Sequence, residues 1–231
     1  MVDTPNQISF SSIKEKASAM FKLRYGLALG ASLAVPLLLY FPSLVSVLRS
    51  LPLAMEIPAQ TNASFDWYAF FIMPVRLLFN IGMARIFISI YREEEAQFSD
   101  VFLGFKDAKR NLIGMLPLMG ANLLGWISAT LASFPPIALT LSIAALVIEI
   151  GLWMTPYLLA ESGIVPPERA AVHSWRMMQG QKMEYVKFSL PFIGWMLLTV
   201  VTAGLAFFFV APYMAASYAG YYSEISKRFD Q

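Results

Sequence analysis

Long apolar runs separated by short polar segments dominate the pattern of hydrophobic and polar positions along the chain. Each run is close to the about 20 residues that cross a hydrocarbon core about 30 Å thick. The runs predict six membrane-spanning helices, at about residues 25–48, 67–90, 112–133, 138–160, 185–202 and 205–223. We therefore expect an all-α, polytopic transmembrane bundle that forms a single membrane domain over residues 1–231.

The number of spans depends on the last apolar region, Tyr185–Tyr222. As one helix rising about 1.5 Å per residue, it would be roughly 57 Å long, nearly twice the hydrocarbon thickness. Two spans hinged near residues 202–204 fit the membrane better. The alternative is one span followed by an interfacial helix that begins at Pro212, which gives five spans in total.

The N-terminal segment, residues 8–24, predicts an amphipathic helix outside the hydrocarbon core. Ser12 and Glu15 have the spacing of a capping box. One helical face is apolar and is flanked by lysine and arginine. Such a helix lies in the headgroup region with its apolar side down, and we expect it to anchor the first span.

The distribution of positive charge predicts the orientation of the bundle. With six spans and both termini cytoplasmic, all but three of the 17 lysines and arginines belong to the cytoplasmic side, as the positive-inside rule requires. The exceptions are Arg49, outside, and Arg76 and Arg85, within the second span. Five spans would export Lys227 and Arg228. A basic inner face predicts contact with the anionic lipids of the bilayer.

Arg76 and Asn80 interrupt the apolar run of the second span. Arg76 lies about 14 Å below the outer end of that span, and an unpaired guanidinium at such a depth costs at least about 2.5–3.5 kcal/mol. The fourth span contains one acid, Glu149, about 17 Å below its own outer end. Because these depths match within the reach of an arginine side chain, we predict an Arg76–Glu149 pair, with Asn80 as an additional hydrogen-bonding group.

Two hypotheses account for a charge pair in this position. Intramembrane ionisable groups often mark a solute or ion pathway, so the pair can line a cavity. Alternatively, the pair is a structural clamp that keeps the second and fourth spans in register. The sequence shows no second acid–base couple at that depth, which favours the clamp.

The composition argues against an enzyme. The chain is 58% hydrophobic and 14% charged, whereas soluble domains average about 25% charged residues. It has no cysteine and one histidine, His173, so thiolate chemistry and imidazole metal clusters are not expected. The run Glu93–Glu95 lies beside several basic residues and predicts a solvated face. We expect no catalytic residues, metal or cofactor, and no nucleic-acid partner.

Two cytoplasmic segments are patterned more regularly than simple linkers. Residues 98–106 place several phenylalanines at helical spacing, and residues 167–179 predict a helix that starts after Pro166 and is capped by Gly180. Either segment can dock a partner or cover the inner end of the bundle. The docking candidates are Phe102, Phe105, Trp175 and Met178.

Several stretches resemble a known family. They are FSDVFLGFK at 98–106, AAVHSWRMMQGQK at 170–182, FSLPFIGW at 188–195 and APYMAASYAGYY at 211–222. They resemble an uncharacterised bacterial integral-membrane family that is similar to the membrane domain of some glycerophosphoryl diester phosphodiesterases. The matching positions are Ser174, Gly180, Lys182, Gly194, Trp195, Pro212 and Tyr213.

The resemblance implies a six-span protein of the bacterial cytoplasmic membrane with no established activity. Two features depart from it: FPPI at 134–137 replaces a usual Ile-Pro-Gly turn, and the Arg76–Glu149 pair is not a hallmark of the family. Because the phosphodiesterase activity belongs to a soluble domain, the resemblance does not imply hydrolysis here.

These observations lead to two hypotheses for function. The first is a non-enzymatic accessory or scaffold subunit that docks a protein partner, or another copy of itself, at its cytoplasmic face. The alternative is a transporter or binding protein for a small solute or lipid, in which Arg76, Asn80 and Glu149 line a cavity.

Overall fold

The protein is all-helical. The computed structural model describes residues 9–32, 67–131, 133–161, 165–202 and 204–229. Helices account for 86% of the structure, and no strand occurs in the described ranges. This confirms the all-α prediction; most of the predicted first span and all of the loop that follows it lie outside the described residues.

The helices follow one another with short connections. In chain order they are α1 (Phe10–Leu23), a helical segment at 25–32, α2 (Trp67–Arg92), a 3-10 helix (Phe98–Phe102), α3 (Leu103–Lys106), α4 (Ala108–Thr130), α5 (Pro135–Leu152), α6 (Thr155–Ala160), α7 (Pro167–Met177), α8 (Lys182–Val201) and α9 (Phe207–Phe229). The predicted fourth span is thus two helices, α5 and α6, and the last apolar region is two helices, α8 and α9.

Four helical segments of the described chain are long and apolar enough to cross a membrane. They are Phe70–Arg92, Ala108–Thr130, Pro135–Ala160 and Lys182–Val201. The outer surface of helix α8 is apolar. For example, its residues Val200 and Val201 are 77% and 82% exposed. Contact with lipid hydrocarbon removes that apolar area from water. Helix α9 is of similar length but contains many tyrosines and serines, most of them buried against the protein.

Proline and glycine mark the two helical hairpins. Helix α5 begins with Pro135, whose missing N–H is unneeded in the first turn. Ser128 of α4 donates a hydrogen bond to the Ala138 carbonyl of α5 (2.6 Å), which ties the two helices near this turn. Between α8 and α9 the chain reverses through Gly204, whose φ of +91° is a left-handed conformation that glycine adopts without strain.

Helix α1 is amphipathic, and its apolar face packs against the other helices. Its residues Ile13 and Ala17 are buried, and its principal neighbour is α9. The Lys14 ammonium donates to the Phe188 carbonyl (3.2 Å), and burial lowers the pKa of Lys14. The predicted capping box does not form, because the helix begins at Phe10 and the Ser12 hydroxyl donates to the carbonyl of Ser9.

The segment Phe98–Lys106 runs back along the middle of α2, in backbone contact with it. A Cβ on Gly104 would lie 2.1 Å from the Leu78 carbonyl oxygen, and one on Gly82 would lie 1.9 Å from that of Val101. Only glycine permits such close approach. The sequence predicts that this segment lies at the inner end of the span, near Arg92. In the structure Gly104 instead contacts Leu78, which is about 21 Å along the helix from Arg92.

We expect Gly104→Ala to destabilise the protein by about 1–3 kcal/mol, because the added methyl group overpacks a backbone contact. Gly120→Ala is the matched control: nothing lies within 4 Å of its added Cβ, so better helix propensity should raise stability by about 0.5–1 kcal/mol. Thermal unfolding of both variants in detergent tests the contact. Equal effects of the two substitutions would contradict it.

Candidate functional site

The site begins with an interruption between α5 and α6. The helical hydrogen bonding breaks at Trp153 and Met154, just before Pro156. Ser174 of α7 bridges the break: its hydroxyl donates to the Gly151 carbonyl (3.0 Å) and accepts from the Met154 backbone N–H (3.1 Å). The polar backbone groups that the break exposes are thereby satisfied, and α7 fixes the direction of the chain.

A cavity of about 350 Å³ lies against this interruption. Its walls come from α2, α4, α5, α6 and α9, and three of its side chains are polar or charged: Asn80, Asn122 and Glu149. The other lining residues are Met83, Ala84, Phe87, Leu118, Trp153, Pro156, Tyr157 and Ala215. The structure thus brings together two of the three intramembrane residues that the sequence predicted, Asn80 and Glu149.

Glu149 does not pair with Arg76. Within the described residues the ion pairs join Arg85 to Glu94, Arg92 to Glu161 and Lys227 to Glu224. Arg76 lies one turn before Asn80 and is not among the residues that line the cavity.

The lining of the cavity includes Asn80 and Glu149, whereas Arg76, one turn before Asn80, lies outside it. Helix α2 also meets the α5–α6 segment at Arg92 and Glu161. The predicted depths of Arg76 and Glu149 are counted from the outer ends of the predicted spans, but α5 begins at Pro135, three residues before the predicted start of its span. Three residues move a side chain by about 4.5 Å along a helix, so the two depths no longer match.

Aromatic rings form one wall of the cavity and continue into the core. The Trp153 ring lies 5.0 Å from that of Tyr157, and Tyr157 in turn stacks on Tyr222 at 5.1 Å between centroids. Trp153 also contacts Tyr185 and Tyr218 of the neighbouring helices, at 5.0 and 5.4 Å. Such packing fixes the orientation of the indole, so the wall is preformed.

Beyond the C-terminal end of α6, Glu161 connects three helices, α2, α6 and α9. Its carboxylate accepts hydrogen bonds from the Arg92 guanidinium of α2 and from the Tyr222 hydroxyl of α9 (2.5 Å). The Glu161 side chain is 4% exposed. We call Arg92, Glu161 and Tyr222 the Glu161 cluster. The hydropathy pattern does not single out this cluster, although Glu161 directly follows an apolar run, which is the one local signal of it.

The predicted docking residues have different environments. Phe102 and Phe105 are exposed and pack on Phe79 at the side of α2. Trp175 lies against Gly151, where an added Cβ would come within 2.2 Å of the indole. Met178 is fully buried, so it belongs to the core of the protein.

The positions that carried the family resemblance have mainly structural contacts. Ser174 bridges the α5–α6 break, Gly180 has the left-handed φ (+77°) of a helix C-terminus, and the Lys182 ammonium lies 3.7 Å from the centroid of the Trp175 ring. Pro212 is buried in α9. The remaining positions face outward or line helix contacts: Gly194 has open space around it, and Trp195 lies 6.2 Å from Tyr213.

Comparison with known proteins supports a resemblance to an uncharacterised family. Residues 121–229, a little under half of the chain, match the model of DUF975, a family described as a protein of unknown function. The match includes α5 to α9, and thus Glu149, Glu161 and the cavity's aromatic wall. Nothing links the chain to glycerophosphoryl diester phosphodiesterases. No curated protein and no solved structure matches it.

We expect Tyr222→Phe to lower the free energy of unfolding by about 1.5–3 kcal/mol, the contribution of a hydrogen bond to a charged group. In a Glu161→Gln background, Tyr222→Phe should lower the free energy of unfolding by a smaller amount, because the carboxylate that accepts the hydrogen bond is no longer charged. Chemical unfolding of the single and double variants measures the coupling.

Glu224→Gln is the control for this measurement, because its partner Lys227 is exposed and the pair is one helical turn apart. We expect a change within about 1 kcal/mol. A Tyr222→Phe cost that is the same with and without Glu161 would show that the two side chains are not coupled.

Proposed function

We propose that this protein binds a small solute within its membrane domain and serves in its transport or sensing. The observation that carries the proposal is that Glu149, Asn80 and Asn122 converge on one cavity between the helices. Pockets for small molecules are mostly apolar with a few converging polar groups. A carboxylate in an apolar cavity is costly unless a partner compensates for its charge, and a ligand can supply that partner.

The membrane setting of this proposal follows from the predicted topology. We propose six spans, with both termini in the cytoplasm of a bacterium and the chain in its cytoplasmic membrane. The four apolar helices and the one-sided distribution of basic residues support it. In this arrangement Glu149 lies about 18 Å along the helix from the Glu161 cluster, within the depth of the bilayer.

The accessory or scaffold role that the sequence favoured stays a prediction. The environments of the four docking candidates support this role less than the cavity supports solute binding. Met178 is buried, and Trp175 is partly covered by Gly151 and Lys182. Phe102 and Phe105 lie along the side of α2, where lipid is as suitable a neighbour as a protein.

A panel of cationic, neutral and anionic small molecules tests solute binding by the cavity. At a concentration of about 100 times its Kd, a ligand stabilises its protein by about 2.7 kcal/mol. We expect at least one class to raise the melting temperature of the purified wild-type protein. Ala215→Phe should abolish that shift, because its ring fills the cavity that Ala215 lines.

Ala129→Phe is the matched control, since Ala129 is exposed on α4 and does not line the cavity. This variant should keep the ligand-induced shift. Two results would refute the proposal: no stabilisation of the wild-type protein by any class, or equal stabilisation of the Ala215→Phe variant.

A further inference from the structure

We propose that the ligand of the cavity is a monovalent organic cation with an apolar, ring-sized body. This inference rests on the proposed function and adds the chemical class of the ligand. It follows from three properties of the cavity, namely its charge, its aromatic wall and its amide oxygens.

The charge of the cavity selects a cation. Its lining includes one acid, Glu149, and no lysine, arginine or histidine. Glu149 forms no ion pair with any residue in the described part of the chain. A carboxylate in these surroundings is stabilised by a ligand of opposite charge, whereas an anion would add repulsion to the cost of leaving water.

The aromatic wall favours an organic cation over a hydrated inorganic ion. Trp153 lies one helical turn after Glu149, on the same face of the chain, and Tyr157 and Phe87 complete the aromatic part of the lining. Alkylammonium groups bind the faces of such rings with about 0.5–2 kcal/mol each. Met83 and Leu118 offer apolar area for the rest of the ligand.

A divalent metal ion does not suit this cavity. Calcium takes 6–8 oxygen ligands and magnesium six, several of them carboxylates or waters, but the lining provides one carboxylate and two amides. No group of three or more metal-ligating side chains occurs among the described residues. A single compensating charge calls for a monovalent cation.

The two asparagines add amide oxygens, whose partial negative charge attracts a cationic head group. The Asn122 side-chain N–H₂ donates to the Leu118 carbonyl (2.9 Å), which directs that donor to the helix and leaves the amide oxygen as an acceptor. Asn80 of α2 lines the same cavity. The volume of about 350 Å³ is at the small end of the range for ligand pockets, about 300–1,000 Å³, and suits one ring with a small cationic head.

The decisive experiment compares three probes of nearly the same shape. Benzyltrimethylammonium carries the positive charge, neopentylbenzene is its neutral carbon isostere, and benzylsulfonate is the anionic counterpart. Binding to the purified wild-type protein in detergent is measured by calorimetry and by the melting temperature. We expect the cation to bind at least ten-fold more tightly than either of the others.

Variants assign the preference to the cavity. Glu149→Gln should lower the affinity for the cation at least ten-fold and leave that for the neutral isostere within about two-fold. Trp153→Leu should weaken the cation more than the isostere, because the ring face is lost. Glu168→Gln, on the exposed side of α7, is the charge control and should change neither affinity.

The outcomes separate this inference from the proposed function. If the neutral isostere or the sulfonate binds as tightly as the cation, and Ala215→Phe abolishes that binding, the cavity binds a solute but the cation inference is wrong. If the cation preference persists in Glu149→Gln, the carboxylate does not select the ligand and the inference also fails. The comparison of probes on the wild-type protein does not depend on whether any variant folds.

Discussion

The buried carboxylate of Glu161 is the constraint on which the arrangement of the helices depends. A charge removed from water is tolerated only when hydrogen bonds and an opposite charge replace its hydration. Arg92 from the end of α2 and Tyr222 from α9 supply these, and Glu161 itself follows α6. Sliding one of the three helices by a turn would leave the carboxylate unsatisfied, so the cluster fixes their relative heights.

This register determines what faces the cavity. Asn80 of α2 and Glu149 of α5 line the same cavity, and Ser174 satisfies the backbone groups of the break beside Trp153 and Tyr157, which line the cavity too. Two acids of one apolar segment thus have different roles. Glu161 has partners on two other helices and organises the fold, whereas Glu149 lines a cavity with rings and amides, where we propose that its charge meets a ligand.

The backbone contact between α2 and the segment Phe98–Lys106 determines which residues lie on the surface beside α2. Two glycines, Gly82 and Gly104, allow a polar-flanked segment to lie along the span instead of continuing beyond it. The phenylalanines that look like a docking motif in the sequence therefore cover Phe79 and the side of α2.

The sequence by itself determined the helical class and singled out Asn80 and Glu149 as polar residues within apolar runs, because hydropathy and helix-breaking residues are local properties. It did not determine which residues share a level, since an error of three residues at the start of α5 moves a side chain by about 4.5 Å along the helix. The tertiary structure therefore decided that Glu149 and Asn80 line one cavity, that Arg92 meets Glu161, and that Met178 is buried. Each of these depends on contacts between segments distant in the chain, which no local pattern encodes.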